Sequence, residues 1–371
     1  MRIPPAPPYV TPSNACTAVS GAATGFFRLS KDASGRWWFI DPKGAGVFPT
    51  GIQSATFNGC RCESGGRTTY AYRDTNMRMF DSFDAWADDT CGKLRAWGFN
   101  MLGHGSSLTN RGFIEAPTAA LGYSFWHDSP GDADRRIGEK WPLVFPNVFH
   151  PDFARHCREF AGRVCAPRKD DPWLLGWFID NEVSWRGMAR GKVREDYAAG
   201  LFDTVAALPK THSARKALDE FLAARGAAEP DRAVKVAFLE FTAERYFAVT
   251  TEAIRAADPN HLVLGCRFIQ LMELEVWPTC ARWCDAISVN LYPWVDLDRG
   301  TLHASHHETD RPLSERLDEC GRLTGGKPLL ITEWSYLAFD SGLPCTSGSG
   351  HRNFTRPGGM VGGVLQHLFA L

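Results

Sequence analysis

Asp171-Pro-Trp-Leu-Leu-Gly-Trp-Phe-Ile-Asp-Asn-Glu-Val-Ser-Trp185 holds the key to this chain. The run Leu174–Ile179 is apolar on every side, too short for a helix, and bounded by Asp-Pro before it and by three polar residues after it. A run of that kind is a strand covered on both faces, as strands of parallel sheets are. Other short apolar runs stand on either side of it: Phe99-Asn-Met-Leu102 upstream, then Leu262–Gly265, Ala286–Val289 and Leu329–Ile331 downstream. Between them the spacing predicts helices over Phe83–Trp97, closed by Gly98, and over 152–165, 213–225, 233–257 and 313–323. Strands alternating with helices give a parallel α/β sheet. The number of strands and the length of 371 residues favour closure into a (β/α)₈ TIM barrel over a doubly wound sheet.

The ends read differently from the middle. Residues 1–24, rich in Pro, Ala, Thr and Ser, predict an irregular arm, and 25–371 a single (β/α) barrel domain. Gly25-Phe-Phe-Arg-Leu-Ser and Arg36-Trp-Trp-Phe-Ile-Asp flank a turn and predict an N-terminal hairpin extension, with Val47–Ile52 as the next short strand. Residues 54–80 read as a long loop. After Glu333, a Gly/Ser/Pro-rich stretch leaves His351–Leu371, with its apolar Val361–Leu371, too short to supply a seventh helix, an eighth strand and an eighth helix. The expectation is therefore a barrel incomplete at its eighth unit, with Val361–Leu371 not forming its closing strand.

Composition excludes several classes of function. With 41 Lys+Arg against 42 Asp+Glu the formal net charge is −1, which gives no basic footprint for nucleic acid. No stretch is apolar enough to span a membrane. The start lacks an apolar signal core, so the chain as it stands reads as cytoplasmic, and as secreted only if the natural precursor is longer. The 11 Cys show no zinc spacing and read as reduced, small apolar residues. His303-Ala-Ser-His306-His307-Glu308 has ligand residue types without the helical spacing of a zinc site, so neither a metal nor a cofactor is expected. Asn353-Phe-Thr355 is a glycosylation acceptor only in a secreted chain. The 13 Trp suit either a large core or a groove that stacks sugar rings.

In a parallel barrel, function collects where the strands end. The run Leu174–Ile179 ends in Asp180-Asn181-Glu182, and Leu329–Ile331 ends in Thr332-Glu333-Trp334. One glutamate at a strand end is ordinarily a solvated acid or half of an ion pair. Two of them at two strand ends can face each other across a barrel mouth. Glycoside hydrolysis needs such a pair, one carboxyl to protonate the leaving oxygen and one to attack or to activate water. A retaining pair would be about 5–5.5 Å apart, with the acid's proton affinity raised by burial and by its neighbour's charge.

The segment Asp171–Trp185 resembles the fourth-strand motif of clan A glycoside hydrolases, and most of all the agarase-like glycoside hydrolase family 50 and its relatives. Gly25–Pro42, Trp97–Gly103, Ala257–Phe268 and Gly342-Leu-Pro344 fit the same resemblance, which runs from about Gly25 to Gly350. It implies Glu182 as general acid/base, Glu333 as nucleophile, and Asn181 as the partner of the sugar 2-hydroxyl. Tyr292, in Ser288-Val-Asn-Leu-Tyr-Pro-Trp294, matches the tyrosine that orients the nucleophile, with Asn290 beside it as a further substrate contact. Arg267 would support the nucleophile electrostatically. His104 would lie at the rim, and Trp185, Trp294 and Trp334 are candidate stacking platforms. The implied activity is retaining hydrolysis of agarose or its oligosaccharides, with no nucleic-acid or membrane partner. The alternatives are a clan A β-galactosidase, β-mannosidase or β-glucanase, or a carbohydrate-binding barrel with impaired catalysis.

Overall fold

The computed structural model describes residues 6–59, 61–138, 144–186, 197–227, 229–296, 299–304 and 310–334. The chain divides into two compact units. One comprises Met1–Ala119, Arg158–Phe178 and Glu252–Val263, the other Ala120–Cys157, Ile179–Thr251 and Leu264–Leu371.

The first unit opens with an antiparallel sheet of β1 (Cys16–Ser20), β2 (Arg28–Lys31), β3 (Trp37–Ile40) and β4 (Ala45–Val47), in the order β1-β4-β3-β2. The expected hairpin is β2–β3. Asp32 shapes its turn by accepting from the Ser34 and Arg36 amides at 2.9 and 3.1 Å, and Gly35 supplies the left-handed residue, φ 84°. The arm is not irregular, however, because β1 pairs with β4. The buried Asp41 carboxylate ties the arm down further, accepting from Tyr9 Oη at 3.0 Å and Thr11 Oγ1 at 2.7 Å. Prolines hid this from the sequence, since the anchor is one distant carboxylate rather than a local pattern.

Residues 54–80 are not a plain loop either. β6 (Arg61–Ser64) and β7 (Arg67–Tyr70) form a hairpin, followed by the helix Arg73–Met79. Its two-residue turn is Gly65-Gly66, at φ 56° and 74°. Positive φ at both central residues gives the twist that a tight hairpin needs.

The parallel part of this unit is a succession of short strands. β5 (Gly51–Ile52), β8 (Met101–Leu102) and β9 (Ile114–Glu115) pair in parallel. Parallel bridges Glu115–Leu174 and Thr118–Phe178 continue the succession, and β10 (Gly176–Trp177) pairs in parallel with β11 (Leu262–Val263). The helix Phe83–Ala96, capped by Ser82, buries Trp86, Ala87, Cys91 and Leu94 against Leu102, Leu108 and Phe113.

The second unit holds a parallel sheet of β12 (Phe268–Ile269), β13 (Ile287–Asn290) and β14 (Leu329–Glu333), with β13 in the middle. Its helices include Ser213–Arg225 and Leu313–Leu323, both on the expected spans. Along the chain as a whole, the helices Phe153–Val164 and Arg232–Ala257, which belong wholly to neither unit, also fall within a residue of the expected ends. Among the described residues no helix is long and apolar enough to cross a membrane. The expected eighth unit, the Gly342-Leu-Pro344 loop and the Asn353 sequon lie outside the described residues.

Candidate active site

The second unit brings together the ends of three chain segments around two glutamates. β13 and β14 fix the register, with Asn290 opposite Glu333 across an irregularity after Val289. The Leu291 amide donates to the Glu333 carbonyl at 2.9 Å. On the other side of β13, Ile269 lies opposite Asn290. The segment 179–182 joins through the Ile179 amide, which donates to the Gly265 carbonyl at 2.8 Å, and the Glu182 amide, which donates to the Arg267 carbonyl at 3.2 Å.

Among the described residues six non-glycines have positive φ, and three of them sit here: Glu182 at 53°, Arg267 at 50° and Gln270 at 52°. That conformation is unfavourable for residues with a side chain and tends to mark functional positions. In each case it is held by its neighbours. The Arg267 amide donates to Ser288 Oγ at 2.9 Å. The Gln270 amide donates to the Asn290 carbonyl at 2.9 Å, and Gln270 Oε1 accepts from the Tyr292 amide at 3.2 Å.

The two carboxyls have different surroundings. Glu333 Oε1 is ion-paired and hydrogen-bonded to the buried Arg267 guanidinium, and its Oε2 accepts from the Tyr292 phenol at 2.5 Å. Glu182 Oε1 accepts a neutral donor, Asn290 Nδ2, at 2.8 Å. Asn290 Nδ2 also reaches Asn181 Oδ1 at 3.1 Å. Burial raises the proton affinity of Glu182 above the ordinary carboxylate range. The Glu333 charge raises it further, while the Asn290 bond and the charges of Arg267 and Arg186 oppose the shift. The Tyr292 phenol is pushed well up by burial and by Glu333, so it is a donor at any ordinary pH. One carboxyl is thus held by a cation and a phenol, and the other is biased toward its protonated form. The two can serve as an acceptor of positive charge and a donor of a proton.

Glu182, Glu333, Asn181, Asn290, Tyr292 and Arg267 are therefore assembled together. Trp185 is not a stacking platform. It is 1% exposed, with its ring 4.8 Å from Phe145, 5.1 Å from Tyr246 and 5.5 Å from Phe247. An indole walled in by three aromatic rings cannot also present a face to sugar. Trp294 is half-buried, its ring 5.7 Å from that of His303. Trp334 is 48% exposed. His303 is held by Thr301 Oγ1 at 2.9 Å and the Arg311 carbonyl at 2.8 Å, while His306, His307 and Glu308 lie outside the described residues. His104 belongs to the first unit, where with Ser106, Thr109, Glu115, Thr118 and Arg168 it lines a cavity of about 150 Å³.

Sequence reasoning missed two buried carboxyls. Asp180 is wholly buried, and Glu273, 2% exposed, finds no hydrogen-bond partner for its side-chain oxygens in the rest of the described residues. Burial pushes Asp180 up to about 6 and Glu273 up to about 8. Arg186 Nε lies 3.9 Å from Glu273 Oε1, too far to offset that burial. Asp180 was visible in the Asp-Asn-Glu motif, whereas nothing near Glu273 in sequence marks it.

No protein-family model matches the chain. It is 24% identical over 411 residues to beta-agarase A of Vibrio sp. strain JT0107, a match covering 90% of this chain and 39% of that protein. Among solved structures, that of the agarase AgWH50C superposes with a TM-score of 0.67 at 23% identity, covering 89% of this chain and 52% of the other. BpGH50 superposes with a TM-score of 0.61 at 20% identity, covering 84% and 64%. The chain resembles the family 50 glycoside hydrolases. This agarase-like chain shares their fold, and it spans about two fifths of the length of the curated relative it matches.

Proposed function

We propose that the chain is a retaining β-glycoside hydrolase that cleaves agarose or agaro-oligosaccharides at β-galactosidic linkages. The observation that carries this reading is the unequal treatment of two glutamates in one site: among the described residues Glu333 receives the Arg267 cation and the Tyr292 phenol, and Glu182 receives the neutral Asn290 amide. Glu333 attacks the anomeric carbon as Glu182 gives its proton to the departing glycosidic oxygen, leaving a glycosyl ester on Glu333. Glu182, now ionised, takes a proton from water, which attacks the same carbon from the face the leaving group vacated. Two displacements retain the configuration. Asn181 hydrogen-bonds the sugar 2-hydroxyl, a contact that strengthens in the transition state. Trp294 and Trp334 are the remaining candidates for stacking sugar. In this reading the fold is a (β/α) barrel.

The substrate is argued from the relatives, which are named as agarases. Hydrolysis of a panel of agar, galactan, mannan and glucan oligosaccharides, with the anomer of the product read by NMR, tests both parts. Release of agaro-oligosaccharides with retained configuration is expected. An inverted product would overturn the mechanism, and selective cleavage of mannan or glucan would overturn the substrate.

A further inference from the structure

Asp180 is the one residue of the Asp-Asn-Glu motif that the glycosidase reading leaves without a task. Its carboxyl is wholly buried, an arrangement that is unfavourable unless the oxygens are well hydrogen-bonded. They are. Oδ2 accepts from the Gly122 amide at 2.8 Å and the Tyr246 phenol at 2.7 Å, and Oδ1 accepts from the Tyr123 amide at 2.9 Å. Gly122 and Tyr123 lie in the first turn of the helix Leu121–His127, and Tyr246 lies on the helix Arg232–Ala257. One carboxylate therefore binds the end of its strand to two separate helices. The approach is close enough that a Cβ at position 122 would stand 2.6 Å from Asp180 Oδ2, so only glycine fits there.

The same tyrosine braces the chain on the far side of the acid. The Tyr246 ring stands edge-on to Trp185, with centroids 5.1 Å apart and planes at 84°. Glu182 lies between these two anchors, with its backbone in the left-handed region at φ 53°. A strained backbone persists only where its surroundings fix it. The bonds made by Glu182 itself are few: its amide to the Arg267 carbonyl and its carboxyl to Asn290.

We propose that Asp180 is a positioning residue for Glu182, clamping the chain with Tyr246 so that the strained backbone aims the acid at the leaving oxygen. The role rests on the glycosidase reading above. It predicts a loss confined to proton donation rather than a general loss of active protein. Two aryl β-glycosides of the same sugar separate the possibilities: a dinitrophenyl glycoside, whose leaving group needs no proton, and a phenyl glycoside, which does.

In D180N the amide presents an N–H where a carboxylate oxygen accepted. We expect kcat/KM on the phenyl glycoside to fall by about 10- to 100-fold, and on the dinitrophenyl glycoside by less than about 3-fold. Y246F, which keeps the carboxylate and loses one donor, shifts the ratio in the same direction by a smaller factor. Amides of residues 181–186 should also exchange faster with deuterium in D180N. An equal fall on both substrates in D180N and Y246F would overturn the proposal, since that is what a smaller folded fraction produces. If D180N does not fold, Y246F decides alone. E182Q run beside them tells the two readings apart. If E182Q fails to discriminate between the substrates, the acid assignment itself is wrong. If E182Q discriminates and D180N does not, only the clamp is wrong. Should neither glycoside be cleaved by the wild type, unchanged exchange at 181–186 in D180N still overturns the clamp.

Discussion

Asn290 donates through Nδ2 to Glu182 Oε1 at 2.8 Å and accepts through Oδ1 from Thr332 Oγ1 at 2.8 Å, and Thr332 is the residue before Glu333. A single amide on the middle strand thereby sets one glutamate directly and the strand of the other through its neighbour. Because the amide cannot turn over without breaking both bonds, it keeps a donor, not an acceptor, against Glu182.

Asn290→Ala should lower kcat/KM by about 10²- to 10³-fold, the usual effect of removing one preorganised donor. It should also move the pH profile. The Nδ2–H bond favours the ionised form of Glu182, so its loss raises that carboxyl's proton affinity, and the alkaline limb of kcat/KM should move to higher pH. In the wild type that limb should already lie above the ordinary carboxylate range, because burial raises Glu182. Initial rates across pH on one substrate check both statements, and an alkaline limb that moves down in the variant counts against the assignment.

The two glutamates should fail differently. Glu333→Ala removes the atom that forms the glycosyl ester, so turnover should vanish on every substrate. Glu182→Ala should spare the first step for good leaving groups, and azide, which needs no general base, should restore part of the second. Glycosyl azide with retained configuration is the product to look for by NMR.

Glu273 should make the protein less stable at high pH. Its folded proton affinity, about 8, lies above the ordinary value of 4.5, so the folded state holds a proton that the unfolded state releases. The penalty is absent below about pH 4.5, grows as pH rises, and is complete above about pH 8. Glu273→Gln should therefore gain on the wild type as pH rises, by about 2–4 kcal/mol between pH 5 and 8.5, an amount limited by the nearby Arg186 charge. Denaturant unfolding at the two pH values measures it, and a gap that does not widen would show that the carboxyl ionises with less difficulty.

The tryptophans should separate by role. Trp185→Ala opens a cavity among Phe145, Tyr246 and Phe247 and should cost about 3–5 kcal/mol of stability. Trp334→Ala removes a ring that is 48% exposed and should leave stability within about 0.5 kcal/mol while raising KM for oligosaccharides. Thermal melts and KM values on the same preparations distinguish the two.

What the sequence made legible is what depends on local pattern. The run Leu174–Ile179 and its polar end, the helices Ser213–Arg225 and Leu313–Leu323, and the two strand-end glutamates all carry their meaning in a few neighbouring residues. What it hid depends on distant partners. β1 exists because it pairs with β4, and Tyr9 and Thr11 are fastened by Asp41, some thirty residues along the chain. Trp185 reads as a candidate stacking platform after a catalytic motif until the rings from 145, 246 and 247 close round it. Glu273 offers no pattern at all, since its buried state is set by the packing around it. The Gly65-Gly66 turn could have been read as a hairpin, but the flanking Arg- and Thr-rich strands lack the alternation that announces one.

The left-handed backbone at Glu182 sets activity against thermostability at a single position. Glycine adopts that conformation freely, whereas glutamate there carries strain of order 1–3 kcal/mol together with a half-buried carboxyl. An inert Glu182→Gly enzyme should therefore melt at a higher temperature than the active one, the signature of a residue retained for what it does rather than for how it fits. Anyone selecting this protein for heat resistance alone would be drawn toward losing its acid. Selection would have to be coupled to turnover to keep Glu182 in place.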